Sequence, residues 1–188
     1  MADDKYEIIS AQEASQNVGA PKKWKPEITG NVLEQMLTYN PDTGIFVWRI
    51  SDLAEPPIAG TLKQHGYIWI VICGVGVYAH RLAWLWMSGC WPRELIDHIN
   101  GDKSDNRFCN LREANKMQNM MNQGARADSK TGIRGVTWHK ENKNWIVRIR
   151  ANGDKYLHLG SFADFDEACA RRKEAEKQYY GQFARTGE

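Results

Sequence analysis

Asp97 and His98 stand side by side in the segment Ile96-Asp97-His98-Ile99-Asn100-Gly101-Asp102-Lys103-Ser104-Asp105-Asn106, and an amide-rich stretch follows with Asn110, Asn115, Asn119 and Asn122. Together these types suit hydrolysis of a phosphodiester. That reaction needs an activated water, a cation to offset charge on the phosphate and leaving oxygen, and a group that holds the general base in position. A hard cation such as Mg²⁺ takes oxygen ligands and keeps several waters, so one carboxylate and one amide oxygen are enough protein coordination. Asp97 and Asn119 fit that role. An imidazole titrates near neutrality and can accept a proton from water, the role open to His98. Neighbouring residues on a strand face opposite ways, so Asp97 and His98 can share one site only at a bulge or a strand's end. Taken singly, an Asp-His pair also suits a surface turn and an asparagine stripe a solvated helix face.

The elements around this segment are readable from periodicity. A helix starting near Leu111 would place Asn115, Asn119 and Asn122 on one face and Ala114, Met117 and Met121 on another. Upstream, Val32, Leu33, Met36 and Leu37 form an apolar stripe that predicts a helix from about Asn31 to Tyr39, and Asn40-Pro41-Asp42-Thr43-Gly44 reads as a turn. Ile45 to Ile50, Tyr67 to Ile72 and Val75 to Ala79 read as strands, the last two joined across Cys73-Gly74 or a neighbouring turn. His80 to Ser88 is apolar almost all round, so a buried helix is expected, with its tryptophans in the core and Gly89 and Pro92 as stop signals.

Composition sets the frame. With 188 residues, 42% of them hydrophobic, the chain can bury one good core or two small ones, and a pair of compact modules is expected. Residues 1 to about 25 are polar, include Pro21-Lys22-Lys23-Trp24-Lys25-Pro26, and read as an arm. No basic-then-apolar leader is present, which predicts a cytoplasmic protein. The run Tyr67 to Ala79 is broken by two glycines and is shorter than the about 20 residues a membrane span requires. Cys73, Cys90, Cys109 and Cys169 lack the short pairings of a zinc knuckle or disulfide framework and read as reduced thiols. The formal net charge is only +2, but between Lys130 and Lys155 basic residues far outnumber the two acids Glu141 and Asp154.

That basic stretch opens a third section, after a small and polar connector, residues 123–129. Gly135 to His139, Trp145 to Arg150 and Tyr156 to Leu159 give strand signals, and Asn152-Gly153 marks a hairpin turn. A helix from about Phe165 to Tyr180 follows, with Asp164 and Glu167 as a capping box and Gly181 at its exit. Alternation puts Trp145, Val147 and Ile149 on one face and Ile146, Arg148 and Arg150 on the other; Tyr156 and His158 face outward from the next strand. A basic and aromatic sheet face suits contact with DNA, since arginine can bond phosphates or guanine edges.

Residues 31–122 as a whole resemble the HNH endonuclease family, specifically phage-type members whose final histidine is replaced by asparagine. The resemblance is carried by Tyr39-Asn40-Pro41-Asp42-Thr43-Gly44-Ile45-Phe46-Val47-Trp48, by Ala79-His80-Arg81-Leu82-Ala83-Trp84 and by Ile96-Asp97-His98-Ile99-Asn100-Gly101-Asp102. It implies a ββα-metal fold, two antiparallel strands and a helix around one divalent metal. It implies His98 as general base, Asp97 and Asn119 as metal ligands, and Asn110 in the middle position that braces the loop and orients the base. Asn106 competes with Asn110 for that role. His80 is implied in packing or phosphate contact. An amide in place of the last histidine favours Mg²⁺, with Mn²⁺ as an alternative, over Zn²⁺.

Gly132-Ile133-Arg134-Gly135-Val136-Thr137-Trp138, Trp145 to Arg150 and Leu159-Gly160-Ser161-Phe162 with the helix after them are similar to an AP2 DNA-binding domain. That resemblance implies Arg134, His139, Arg148, Arg150, Tyr156 and His158 as DNA contacts. The expected architecture is therefore α+β: an arm (1–27), an HNH nuclease module (28–122), a linker (123–129) and a three-stranded antiparallel sheet with a helix (130–184). The expected partner is double-stranded DNA. Homing enzymes and other phage nucleases share this pattern. A DNA-binding regulator that keeps a nuclease fold without cutting is the alternative.

Overall fold

The computed structural model describes residues 28–49, 55–125, 128–151 and 155–185, and all statements below concern these. The arm expected over 1–27 and the Asn152-Gly153 turn lie outside them, as does part of the linker.

The first module is built on short elements joined by tight turns. Helix α1 (Gly30–Met36) is capped by Thr29, whose hydroxyl accepts from the Val32 amide. Strand β1 (Leu37–Asn40) follows at once and pairs antiparallel with β2 (Ile45–Trp48). The sequence had suggested helix up to Tyr39. Leu37 is fully buried and would serve as the last residue of a helical stripe equally well, but the turn after Asn40 pairs its flanks as a hairpin. In that turn Asn40 Oδ1 accepts from the amides of Asp42 and Thr43. A Cβ on Gly44, at φ 73°, would overlap the backbone of Asn106 and Arg107, so the hairpin lies directly against the loop of the later Asp-His segment.

Strands β3 (Thr61–Leu62), β4 (Ile68–Ile72) and β5 (Val75–Tyr78) form a sheet in the order β3-β4-β5. Cys73 and Gly74 both have positive φ, 49° and 76°, as a tight two-residue hairpin turn requires. Helix α2 (Ala79–Ser88) begins immediately and ends at Gly89 in the left-handed region. Leu33, Leu37, Phe46, Ile70, Ile72 and Leu82 form the centre of the core, with Trp84 and Trp86 packed against it. The helix is not buried all round, since Met87 is 44% exposed.

Strand β6 (Leu95–His98) pairs antiparallel with β7 (Leu111–Ala114), and helix α3 (Lys116–Met121) follows. This corrects the expectation of a helix from Leu111. Asn115 is the N-cap, its side chain and that of Gln118 forming a reciprocal capping box, and Asn122 is the C-cap. The expected apolar face of that helix is corrected too: Ala114 is buried on β7, whereas Met117 is 38% exposed.

In the second module β8 (Val136–His139), β9 (Asn144–Ala151) and β10 (Lys155–Phe162) form an antiparallel sheet in the order β10-β9-β8, with a bulge between His158 and Gly160. Helix α4 (Phe165–Tyr180) crosses β9 and buries Ala168 and Ala175 against Val136, Val147 and Ile149. Asp164 caps it by accepting from the Glu167 amide. Met121 of α3 packs on the cluster of Ile149, Ala175 and Tyr180, which brings the second module against the end of the first. All four cysteines are free thiols. Among the described residues no helix is long and apolar enough to cross a membrane.

Candidate active site

Asp97 and His98 close strand β6 and are 6% and 4% exposed. His98 holds the strand's last position, and its carbonyl accepts from the Gly101 amide (2.9 Å) as the chain turns away. Both residues line one cleft of ≈ 350 Å³ together with Tyr67, Lys103 and Asn119. The strand's end thus reconciles adjacent positions with a shared site.

The Asp97 carboxylate is held from two sides. Arg112 sits opposite it in the β6–β7 register and donates to Oδ2 from Nε (2.9 Å) and Nη2 (2.7 Å). Asn122 Nδ2 donates to both carboxylate oxygens (3.0 and 3.1 Å) and to the His98 carbonyl (2.6 Å). Asn122 Oδ1 is buried and has no partner. A buried amide oxygen left without a donor is costly unless something fills the place.

His98 Nε2 lies 3.3 Å from Asn106 Oδ1. Asn106 spends its Nδ2 on the Ser104 carbonyl (3.0 Å), so its oxygen is the acceptor, Nε2 carries the proton, and Nδ1 is the nitrogen with a lone pair. Burial pushes the His98 pKa below the ordinary histidine value, against the opposing pull of Asn106 and of Asp97, Asp102 and Asp105. The imidazole is therefore neutral at neutral pH. Its ring packs edge-on against His80 (centroids 5.1 Å apart), and His80 stacks on Tyr78. Burial, first, and the neighbouring His98 and Arg81 lower His80 to about 3, and its buried Nδ1 has no partner.

The loop between β6 and β7 is tied at its neck by Asn110. Its Oδ1 accepts from the Asn100 amide (3.0 Å), and its Nδ2 donates to Asn100 Oδ1 (3.0 Å) and the Asp105 carbonyl (2.8 Å). Sequence reading gave Asn110 both bracing and orientation of the base; in the fold these are divided, since Asn106 is the residue that touches the imidazole. Asn106 is itself fixed by Tyr39, whose hydroxyl donates to its carbonyl (2.7 Å).

Asn119, on α3, lines the cleft half-buried, and its side chain makes no hydrogen bond among the described residues. Among the described residues no group of three or more His, Cys, Asp and Glu side chains is arranged to hold a metal ion. The donors that face the cleft are a carboxylate and amides, with the orphaned Asn122 oxygen beside them. Hard oxygen donors of this kind fit a divalent cation such as Mg²⁺.

The sequence reading left Asn122 in the stripe and out of the site, although its distance of three residues from Asn119 was a usable signal. Arg112, Tyr67, Lys103 and Arg185 were also missed. Arg112 could not be seen while its strand was read as helix.

On the second module, Arg148, Tyr156 and His158 are exposed on the outward sheet face. Arg150 lies over the Tyr156 ring (6.0 Å) and reaches Met120 Sδ with Nη1 (2.9 Å). His139 Nδ1 accepts from the Asn142 amide (3.2 Å) at the end of β8. Arg134 departs from the expected face: its Nη1 donates to the carbonyls of Met120 and Gln123 (3.1 Å for Gln123), so it ties the second module to the end of α3.

The profile of the HNH endonuclease family matches residues 77–121, the stretch from the end of β5 through α3 that contains all of this geometry except Tyr39, Tyr67 and Asn122 on the nuclease side. Protein 3.8 of Escherichia phage T7 is 30% identical over 107 residues, covering 56% of this chain and 87% of that protein. The chain carries an HNH endonuclease domain over residues 77–121. In this domain β6, β7 and α3 supply the candidate site, and the earlier hairpin and the α2 histidine buttress it from behind.

Proposed function

We propose that this HNH protein is a DNA endonuclease that hydrolyses phosphodiester bonds with one divalent metal and His98 as general base. The observation that supports it most is the single cleft onto which the buried Asp97 and His98 both open, with Asn119 facing them and Asn122 Oδ1 unpartnered.

Asp97 and Asn119 would hold the cation, Mg²⁺ first and Mn²⁺ as a substitute, with Asn122 Oδ1 placed to bond a water beside it. The cation would offset charge on the phosphate and on the leaving 3′ oxygen. Arg112 and Asn122 keep the Asp97 carboxylate in one orientation, so little reorganisation is needed. His98 takes the proton from a water through Nδ1, the water oxygen bonds to phosphorus, and the bond from phosphorus to the 3′ oxygen breaks. Asn106 holds the tautomer, and Asn110 holds the loop that carries Asn106.

The second module, similar to an AP2 domain, delivers the duplex through the outward sheet face of Arg148, Arg150, Tyr156 and His158, with His139 at its edge. Arginine there meets phosphate or base edges and tyrosine packs on sugar or base. Arg134 serves module docking in place of direct DNA contact.

The test is conversion of supercoiled plasmid to nicked or linear product in Mg²⁺ or Mn²⁺, with EDTA and Asp97→Ala as controls. The reading expects cutting that both controls abolish. A chain that shifts DNA in a gel yet leaves plasmid intact with either metal is a binding protein and overturns it.

A further inference from the structure

After α4 the chain enters a 3-10 turn, Gly181–Phe183, and runs back to the nuclease module. It is seated on the site's own arginine. Arg112 Nη1 donates to the Gln182 carbonyl, and the Arg112 guanidinium lies 4.4 Å from the centroid of the Phe183 ring. The same guanidinium holds Asp97, so the second module and the candidate metal ligand share one partner.

The segment then places Arg185 in the cleft beside Asp97, His98 and Asn119. Its guanidinium crosses two glycines. A Cβ on Gly124 would overlap Nη1, so a side chain there would displace the guanidinium, whereas one on Gly101 would meet Nη2 in ordinary contact at 3.5 Å. The other cations of the site are engaged: Arg112 with Asp97, Lys103 with the His65 carbonyl (3.3 Å) and the Tyr67 ring. Arg185 has no hydrogen bond or ion pair among the described residues. An exposed guanidinium with no acid partner, anchored at the mouth of a cleft that opens onto a neutral imidazole, is matched to an anion entering that cleft.

We propose that Arg185 binds the phosphate being cut, so that the module expected to hold DNA also completes the cleavage site. The inference rests on the nuclease reading above. Arginine's planar fork can take two phosphate oxygens at once and, because it is positively charged at every working pH, favours the transition state in which charge on those oxygens grows. No bond is made to Arg185, and it moves no proton. Its role is electrostatic, and its supply by residues 181–185 couples cutting to correct docking of the two modules.

The experiment uses the full chain with a short duplex that carries a mapped cut site. It measures the single-turnover rate at saturating protein in Mg²⁺, DNA affinity by fluorescence anisotropy in EDTA, and melting temperature. For Arg185→Ala we expect a saturating rate about 100-fold lower, the scale of losing one transition-state donor, with affinity changed by less than about threefold. Arg185→Lys recovers part of the rate. Gly124→Ala, which displaces the guanidinium without removing it, lowers the rate in the same direction, and the double variant is no slower than Arg185→Ala. Melting temperatures stay at the parent's value because Arg185 is exposed.

A parent-like rate for Arg185→Ala overturns the proposal and leaves the nuclease reading standing. So does a loss of affinity with an intact saturating rate, which would make Arg185 a general backbone contact. A parent chain that cuts no DNA overturns both.

Discussion

Acid places a charge on an imidazole that the nuclease module buries. His80 is 7% exposed, stacked on Tyr78 at 5.6 Å and packed against His98, and its pKa falls from 6.5 to about 3. Above pH 6.5 folded and unfolded chains both carry it neutral, and it contributes no pH dependence. Below 6.5 the unfolded chain binds a proton that the folded chain refuses, so stability falls as pH drops. The slope approaches about 1.4 kcal/mol per pH unit and persists until the folded pKa is reached. Between pH 6.5 and pH 5 His80 alone therefore costs about 2 kcal/mol, a large share of the about 5–15 kcal/mol that holds a typical domain. His80→Phe keeps a flat ring in the stack and removes the titration. Urea denaturation of parent and variant at pH 7 and pH 5, followed by circular dichroism, measures the difference. The parent is expected to lose about 2 kcal/mol more than the variant over that interval. Equal losses would show that the imidazole protonates freely in the fold and would refute the burial argument, including its extension to His98.

Three further outcomes follow from the site. Arg112→Met leaves the Asp97 carboxylate buried without its cation and unseats Gln182 and Phe183, so calorimetry is expected to show a loss of about 3–5 kcal/mol. Burial lowers the His98 pKa, so the proposed base stays neutral to a pH below its ordinary value. The single-turnover rate plotted against pH is expected to fall on the acid side with a midpoint below 6.5, whereas a midpoint at or above 6.5 contradicts the burial. Asn119→Ala is expected to weaken Mn²⁺ binding, measured by electron paramagnetic resonance, by at least about tenfold, the loss that removal even of a supporting residue causes. Unchanged binding would remove Asn119 from the metal set.

Much of the candidate site was legible because its chemistry is local. Asp97 and His98 are neighbours, and Asn119 shares a helix face with Asn122. Helix α4 was legible to the residue because Asp164 and Gly181 mark its ends and its length lets periodicity accumulate. Strand β7 was not. Its four residues, Leu111-Arg112-Glu113-Ala114, bury the two apolar ends and carry two charged residues between them, a pattern that reads as a helical turn and merges with the asparagines after it. Arg112 went with it. The remaining contacts join residues far apart in sequence: Tyr39 to Asn106, Arg112 to Gln182, Gly124 to Arg185. No local period encodes such pairs, since core packing and module docking bring them together. The division of labour between Asn106 and Asn110 belongs to the same class, because it depends on how the loop folds over the imidazole.

The most direct test of the central claim is the single-turnover rate of His98→Ala in Mg²⁺, measured on the duplex the parent cuts and with DNA affinity followed in EDTA. Loss of a general base costs about 10²–10⁴-fold, so the rate is expected to fall on that scale while affinity stays at the parent's value. A His98→Ala protein that cuts as fast as the parent would contradict the assignment of the base and the mechanism built on it.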